Sequence, residues 1–273
     1  WTSMMMGRLT VTILGCGSSG GVPRVGNDWG ICDPAEPKNR RRRCSIWVLY
    51  QEEGTPAPTS ILIDTSPDLR EQFLDAGIDR LDAVLMTHDH ADQTHGIDDL
   101  RAIVYRQRAR IPVFMDAVTG KTLTERFGYI FETPPGSGYP PLLDRQPDLV
   151  PLQPVSIHGP GGALTVLPLE QDHGGSVSLG FRFGDVAYCN DVVDLPEASL
   201  AALNGVSLFI VDALQHKPHP THAHLARSLA WAERIGADRT VLTNLHINMD
   251  YNALKAEVPS NVEPAYDGLM LTL

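Results

Sequence analysis

The sequence predicts a mixed α/β fold built from two β-sheets flanked by helices. Short apolar runs rich in β-branched residues recur along the chain and indicate strands. Stretches with helical spacing separate some of these runs, and further strands come late in the chain. This order fits two packed sheets better than a simple alternation of strands and helices.

Each element follows from a local pattern. The predicted strands are residues 9–14, 46–50, 61–63, 83–86, 111–115, 164–169, 179–183, 186–188, 208–211, 240–242 and 269–273. The predicted helices are residues 67–76, 98–107, 118–127, 196–203 and 221–235. Residues 133–148 form a long irregular stretch, which is either a substrate-covering loop or a plain connection.

The bulk composition is that of an ordinary globular protein. Of the 273 residues, 42% are hydrophobic and 20% are charged, and no linker is visible, so we expect one domain over residues 1–273. No apolar run approaches the roughly 20 residues of a membrane helix. Residues 1–6 lack the features of a secretory signal, and we expect them to be disordered or an artificial addition. We therefore expect a cytoplasmic protein that makes no membrane contact.

The charge of the chain restricts its partners. A formal net charge of −11 argues against a long nucleic-acid partner, because binding to a phosphate backbone depends on basic surface. One basic run, residues 38–43, includes Arg42 and Arg43. It is either a solvated turn or a phosphate clamp, for which the guanidinium group is well shaped.

The most informative motif follows the predicted strand 83–86. His88 and His90 are two residues apart, so in extended backbone they face the same side, and Asp92 follows closely. Imidazole and carboxylate groups bind zinc, manganese and iron, and a site with few protein ligands leaves positions open for water or substrate. The motif predicts a catalytic metal site.

A glycine-rich segment, residues 15–20 (GCGSSG), has the spacing of a dinucleotide-binding loop. The residues after it, which include Pro23 and Gly26, cannot easily begin the helix that such a loop requires. We interpret the segment as a tight loop close to the metal site. Ser18 and Ser19 in this loop are candidate substrate-binding residues.

Further residues of the kind that bind metals lie just beyond predicted strands. They are His173, Asp191 and His246. Any one of them alone would be interpreted as an ordinary surface or core residue. Their shared position after strands favours a common site.

These motifs resemble the metallo-β-lactamase superfamily, whose signature is His-x-His-x-Asp-His followed by a His, an Asp and a final His. Residues 88–101 and 14–23 resemble, within that superfamily, the phosphoribosyl 1,2-cyclic phosphate phosphodiesterases and the tRNA 3′-processing endonucleases. The resemblance implies an αββα sandwich of two mixed sheets flanked by helices, with a two-metal cleft at one edge.

The resemblance also implies two sets of metal ligands, joined by a bridging Asp191. The sets are His88, His90 and His173 for one Mn²⁺ or Zn²⁺ ion, and Asp92 and His246 for the second. Two such ions could share a hydroxide of lowered pKa and neutralise a phosphodiester, so Asp92 is also a candidate catalytic residue.

A proton donor for the leaving group is expected at the start of the predicted helix 221–235. By resemblance, His222 matches the proton-donating histidine of these phosphodiesterases, and imidazole has a suitable intrinsic pKa. His224 is a candidate substrate contact. The alternative is helix capping by Thr221 with incidental histidines.

The sequence departs from the family pattern in two respects. Gln93 stands where the signature has His, so His95 could substitute, Gln93 could ligate through its amide oxygen, or only one metal could bind firmly. The chain also lacks the clustered cysteines of a structural zinc site seen in some phosphonate-pathway members. Its cysteines form no Cys-x-x-Cys pair, and we expect reduced thiols and no structural zinc.

The leading hypothesis is a metal-dependent hydrolase that cleaves a small or cyclic phosphodiester of the phosphoribosyl 1,2-cyclic phosphate type with a metal-activated hydroxide. The alternatives are another hydrolase of this fold, acting on a lactone, thioester or β-lactam, and a non-catalytic carrier-like relative. The expected partner is a small-molecule substrate. A homodimer is a further candidate assembly, because dimers are the commonest soluble oligomers.

Overall fold

Two β-sheets of seven strands each form the centre of the computed structural model, which describes residues 7–273. The expectation for residues 1–6 lies outside this range. The strands of the first sheet are β1 (Gly7–Gly15), β2 (Ser45–Glu52), β3 (Thr59–Ile63), β4 (Ala83–Leu85), β5 (Ile111–Phe114), β6 (Leu143–Arg145) and β14 (Met270–Thr272). Their order is β14-β1-β2-β3-β4-β5-β6.

The second sheet is built from the later part of the chain. Its strands are β7 (Val155–Gly159), β8 (Gly162–Asp172), β9 (Val177–Phe183), β10 (Val186–Cys189), β11 (Leu208–Asp212), β12 (Arg239–Thr243) and β13 (Val262–Pro264). Their order is β13-β12-β11-β10-β9-β8-β7. Both sheets are mixed, because β3 to β6 and β10 to β13 run parallel while the other neighbours run antiparallel.

Helices cover the outer faces of the two sheets. They are α1 (Leu69–Ala76), α2 (Ala91–Thr94), α3 (Arg101–Gln107), α4 (Ala117–Arg126), α5 (Gly128–Phe131), α6 (Glu197–Leu203), α7 (Leu225–Ile235) and α8 (Tyr251–Glu257). Short 3-10 turns occur at Pro37–Asn39 and Ile97–Leu100. No helix among residues 7–273 is long and apolar enough to cross a lipid bilayer.

The core consists of three apolar layers. Between the sheets, alternate residues of β1 such as Val11 and Ile13 pack against residues of the second sheet such as Phe181 and Tyr188. Outside the first sheet, α1, α3, α4 and α5 cover one apolar layer, and outside the second sheet α6, α7 and α8 cover another. Burial of this apolar surface is the main term that stabilises the fold.

Helix α7 shows how the sequence determines an element. Its buried side chains recur at helical spacing and face the second sheet; they are Leu225, Ser228, Trp231, Ala232 and Ile235. Gly236 ends the helix with φ of 70°, a left-handed conformation that glycine adopts without steric cost.

The fold class predicted from the sequence is confirmed by this arrangement. The prediction missed β6, β7, β13, α2, α5 and α8. Strands β6 and β13 have three residues each, too few for an alternating pattern, and in β7 only Ile157 is buried. These short edge strands are defined by hydrogen bonds to neighbouring strands rather than by their own sequence.

One predicted helix begins later than expected. Residues 221–224 precede α7 as irregular backbone, because Ala223 N–H donates to the carbonyl of Val192 at 2.6 Å and Leu225 N–H to that of Gln215 at 2.9 Å. These hydrogen bonds hold the segment against the end of the second sheet. The side chain of His222 is thereby held at the sheet edge.

Strands of both sheets end at the same edge of the sandwich. The backbone turns sharply there, with positive φ at Asp64 after β3, at Asp191 after β10 and at Asn244 after β12 (65°, 54° and 60°). Non-glycine residues rarely adopt this conformation, and such residues cluster at functional sites. Leu179 N–H donates to the carbonyl of Thr87 at 2.8 Å and joins the two sheets at this edge.

Gly96 is required by close packing beneath this edge. A Cβ atom at this position would lie 1.8 Å from the carbonyl oxygen of Ser66. We expect Gly96→Ala to lower the free energy of unfolding by about 1–3 kcal/mol, because the two backbone segments must separate. Urea denaturation measures this change. Gly128→Ala is the matched control, since a Cβ there meets nothing within 4 Å; equal stability losses in both variants would contradict the packing argument.

Candidate metal centre

Three imidazoles meet at the shared edge of the sheets. Their ring centroids lie 4.4 Å (His88–His90), 5.0 Å (His88–His173) and 5.0 Å (His90–His173) apart. One nitrogen of each ring lies within 4.8 Å of the others, which is close enough to hold one metal ion. We call these three residues the histidine cluster.

His88 is oriented by a chain of hydrogen bonds. Its Nδ1 donates to Thr87 Oγ1 at 2.9 Å, and the Thr87 hydroxyl donates to Asp64 Oδ2 at 2.8 Å. The Nε2 atom is buried, has no hydrogen-bond partner among residues 7–273, and lies 3.6 Å from Asp191 Oδ2. Burial and the neighbouring histidines hold the pKa of His88 well below its usual value, so Nε2 presents a free lone pair.

His173 is oriented in the same way. Its Nδ1 donates to the carbonyl of Thr221 at 2.7 Å, which leaves the Nε2 lone pair directed at the cluster, 3.3 Å from His90 Nδ1. Burial lowers the pKa of His173. Neutral imidazoles with one nitrogen fixed and the other free are the usual form of histidine metal ligands, so the cluster fits a divalent ion.

Asp191 adds a buried carboxylate beside the cluster. Burial, together with the charge of Asp92, raises the pKa of Asp191 well above its usual value. His173, Asp191 and His222 form a second group whose ligand atoms lie within 4.8 Å of one another. Asp191 therefore connects the cluster to His222.

His222 is held by Asp212, with Nδ1 2.8 Å from Oδ2. Burial lowers the pKa of His222, but the hydrogen bond and the charge of Asp212, helped by Asp191 and Asp92, outweigh burial and raise it to about 9. The ring is thus protonated at neutral pH and can donate a proton.

Gln93 and His95, which follow the metal-binding motif His88-x-His90-x-Asp92, differ in burial and in the residues they contact. Gln93 is fully buried, and its Nε2 donates to Asp191 Oδ2 at 2.7 Å and to Asp92 Oδ2 at 3.0 Å. His95 is exposed and packs edge-on against the ring of Phe127, with centroids 5.9 Å apart.

His246 is not in either group of candidate ligands within residues 7–273. Its Nε2 lies 2.5 Å from a guanidinium nitrogen of Arg24. Asn244, two residues earlier, reaches the site instead: its Nδ2 lies 3.1 Å from Asp212 Oδ1 and 3.4 Å from Asp191 Oδ1. The ligand set implied for a second metal is therefore not assembled, and these residues do not fit a second ion.

The candidate substrate-binding arginines are engaged elsewhere. Arg42 pairs with Asp75 at 2.6 Å, and Arg43 pairs with Asp68 at 2.7 Å. These carboxylates neutralise charges that the phosphate-clamp interpretation requires to be free.

The other candidate substrate contacts differ in exposure. Ser18 is buried beside the end of β12, where its N–H donates to the carbonyl of Leu245 at 3.2 Å, and Ser19 is exposed. His224 is half-buried at the residue before α7.

The sequence analysis did not single out four residues of this site: Asp64, Thr87, Asp212 and Asn244. Each lies at or just after the end of a strand. The rule that selected His173 and Asp191, a polar residue just beyond an apolar run, also applies to Asp64 and Asp212 and could have found them.

Comparison with known proteins identifies the family. Residues 59–247 match the model of the beta-lactamase superfamily domain. This chain belongs to the beta-lactamase superfamily. The matched range contains His88 to Asp92, His173, Asp191, His222 and His246.

Solved structures of the metallo-β-lactamase fold support this assignment. A structure described as a new diphosphatase from the PhnP family is 34% identical, has a TM-score of 0.85 and aligns over 97% of both chains. Zinc-bound PqqB from Methylobacterium extorquens is 19% identical (TM-score 0.69; 97% of this chain, 100% of that one). The short form of human tRNase Z is 16% identical (TM-score 0.63; 96% and 98%). The last two show the fold alone, and the predicted resemblance is confirmed.

One further relative is named for an acyl-transfer activity rather than for phosphate chemistry. An octanoyltransferase of Porphyromonas gingivalis is 33% identical over 261 residues, which cover 94% of this chain and 50% of that protein. This chain thus spans about half the length of the relative, and the name describes that longer protein.

The histidine cluster can be tested by its effect on stability. We expect saturating Mn²⁺ or Zn²⁺ to raise the melting temperature of the metal-free protein by about 5–10 °C, because an ion bound only by the folded state stabilises it. His173→Ala should lose most of this rise. The exposed His158 of β7 supplies the control, His158→Ala, which should keep the rise; an unchanged rise in His173→Ala would exclude the cluster as the binding site.

Proposed function

We propose that this superfamily member is a metal-dependent phosphohydrolase that cleaves a small or cyclic phosphodiester, or the related bond of a diphosphate. One observation carries the proposal: His222, fixed by Asp212, lies beside the histidine cluster with its pKa raised to about 9. Alkyl phosphodiesters have poor leaving groups, alkoxides, that need such a proton. The 34% identical diphosphatase of the PhnP family supports the same reaction class.

The residues of the chain divide the chemistry between them. His88, His90, His173 and Asp191 would hold a divalent ion, Mn²⁺ or Zn²⁺, which when bound lowers the pKa of water and neutralises phosphoryl charge. Asp92, whose carboxylate is fixed by Gln93, orients the attacking water.

His222 is the proposed acid for the leaving group. It gives its proton to the leaving oxygen, and Asp212 keeps the ring in the orientation that this transfer requires. Thr221, whose carbonyl accepts from His173, joins the acid to the metal-binding histidines through one peptide segment.

Cationic and imidazole side chains border the site and suit an anionic substrate. Arg24 contacts His246 and has no carboxylate partner in an ion pair within residues 7–273. Arg126, exposed near His90, borders an opening that His95 also lines. With a net charge of −11, these local cations favour a small phosphate substrate over a long nucleic acid. A cytoplasmic location is part of the same proposal.

An acyl thioester hydrolase is the second candidate function. It is favoured by the name of the P. gingivalis relative, an octanoyltransferase, whose matched half is 33% identical to this chain. A thiolate leaves without being protonated, so this reaction would not need His222.

Removal of the metal tests the proposed reaction class. We expect chelated protein to lose hydrolysis of a panel of phosphodiesters and diphosphates, including ribosyl 1,2-cyclic phosphates, and to regain it with Mn²⁺ or Zn²⁺, because a bound divalent ion lowers the pKa of the attacking water and neutralises phosphoryl charge. Phosphate release measures the reaction. Turnover of octanoyl thioesters with none of the phosphate panel would favour the second candidate instead.

The role of His222 can be separated from simple damage to the site. We expect His222→Ala to slow hydrolysis of an alkyl phosphodiester by about 10²–10⁴-fold, because its leaving alkoxide needs a proton. Hydrolysis of bis(p-nitrophenyl) phosphate should fall far less, since p-nitrophenolate leaves unprotonated. His158→Ala should keep both rates. Equal losses on both substrates in His222→Ala would contradict its role as the acid.

A further inference from the structure

Two buried amides lie among the carboxylates next to the histidine cluster. Gln93 is fully buried, and the exposed fraction of Asn244 is 1%. The amide nitrogen of Gln93 joins Asp92 to Asp191, with distances of 3.0 and 2.7 Å. The amide nitrogen of Asn244 joins Asp212 to Asp191, with distances of 3.1 and 3.4 Å. Together they connect three carboxylates.

The surroundings determine which end of the Gln93 amide faces the carboxylates. If the amide were turned, Oε1 would lie against two carboxylate oxygens, and these acceptors repel one another unless a cation lies between them. In the observed orientation, the two hydrogens of Nε2 are directed at two acceptors. A neutral amide thus compensates Asp92 and Asp191 at a position where a cation would otherwise do so.

The imidazoles that a second ion would need are not at this place. His246 contacts Arg24, and position 93 presents an amide nitrogen, which cannot ligate a metal. Asp92 and Asp191 remain, and each already accepts a hydrogen bond from Gln93. Zinc sites generally use three or four protein ligands, so two occupied carboxylates make a poor site.

We propose that this chain binds one divalent ion, at the histidine cluster, and that the side-chain amides of Gln93 and Asn244 replace a second ion. The inference rests on the metal site of the proposed function and is independent of which substrate is cleaved.

The replacement changes what supports the leaving group. His222 Nδ1 lies 2.9 Å from Asn244 Nδ2 and 3.4 Å from Asp191 Oδ1, so the histidine lies beside an amide and a carboxylate of this group. A leaving oxygen on this side meets an imidazole and neutral amides instead of a second cation. In this arrangement the proton of His222, rather than a second cation, stabilises the leaving oxygen.

Metal stoichiometry tests the inference without any substrate. The full chain is stripped with a chelator, incubated with Mn²⁺ alone and passed through a desalting column, and bound metal is measured by mass spectrometry. We expect about one equivalent per chain, with the electron paramagnetic resonance spectrum of an isolated Mn²⁺ ion. Two equivalents with an exchange-coupled spectrum would overturn the inference, as would no bound metal.

A double variant designed to create a second metal site provides a second test of the inference. Gln93→His with Asn244→His replaces both amides by imidazoles, and we expect bound Mn²⁺ to rise from about one to about two equivalents with an exchange-coupled spectrum. The control adds histidines at exposed positions, Gln51→His with Asn261→His, and should stay at one. A folded double variant that still binds one ion would contradict the assignment of these amides. If this variant fails to fold, the wild-type measurement decides.

The outcomes separate this inference from the proposed function. An active phosphohydrolase that binds two ions overturns the one-ion inference alone. A chain that binds one ion but hydrolyses no phosphate ester overturns the proposed function alone.

Discussion

Compensation of buried carboxylates is the constraint on which this site depends. Asp64, Asp191 and Asp212 are each buried just beyond or at the end of a strand. A buried negative charge is costly unless it is paired or hydrogen-bonded. Thr87 compensates Asp64, and His222 compensates Asp212. The rest of the site is arranged around these pairings.

Asp191 is a carboxylate that lies next to an amide and two imidazoles. It accepts from Gln93, lies near His88 Nε2 and lies near His222 Nδ1, at 2.7, 3.6 and 3.4 Å. Because it borders the metal-binding histidines and the acid, a change at either side alters the electrostatic environment of the other. Asp191 lies just beyond β10 with left-handed backbone, a strained conformation of the kind that clusters at functional sites.

The superfamily fold allows such sites to vary while the sheets stay constant. Strand ends supply the positions, and the residue type at each position decides whether it holds a metal, a proton or a hydrogen bond. At positions 93 and 244 this chain has amides, which donate to carboxylates without adding charge. The same sandwich can therefore support a site with a different number of ions.

Local patterns in the sequence determined most strands, most helices and the grouping of His88 with His90, because side-chain periodicity and short spacing are local properties. They also indicated that His173 and Asp191 follow strands. Only the tertiary structure decided which of two nearby polar residues reaches the site. Asn244 turns inward with φ of 60°, while His246, two residues on, contacts Arg24, and that choice depends on backbone contacts between segments far apart in the sequence.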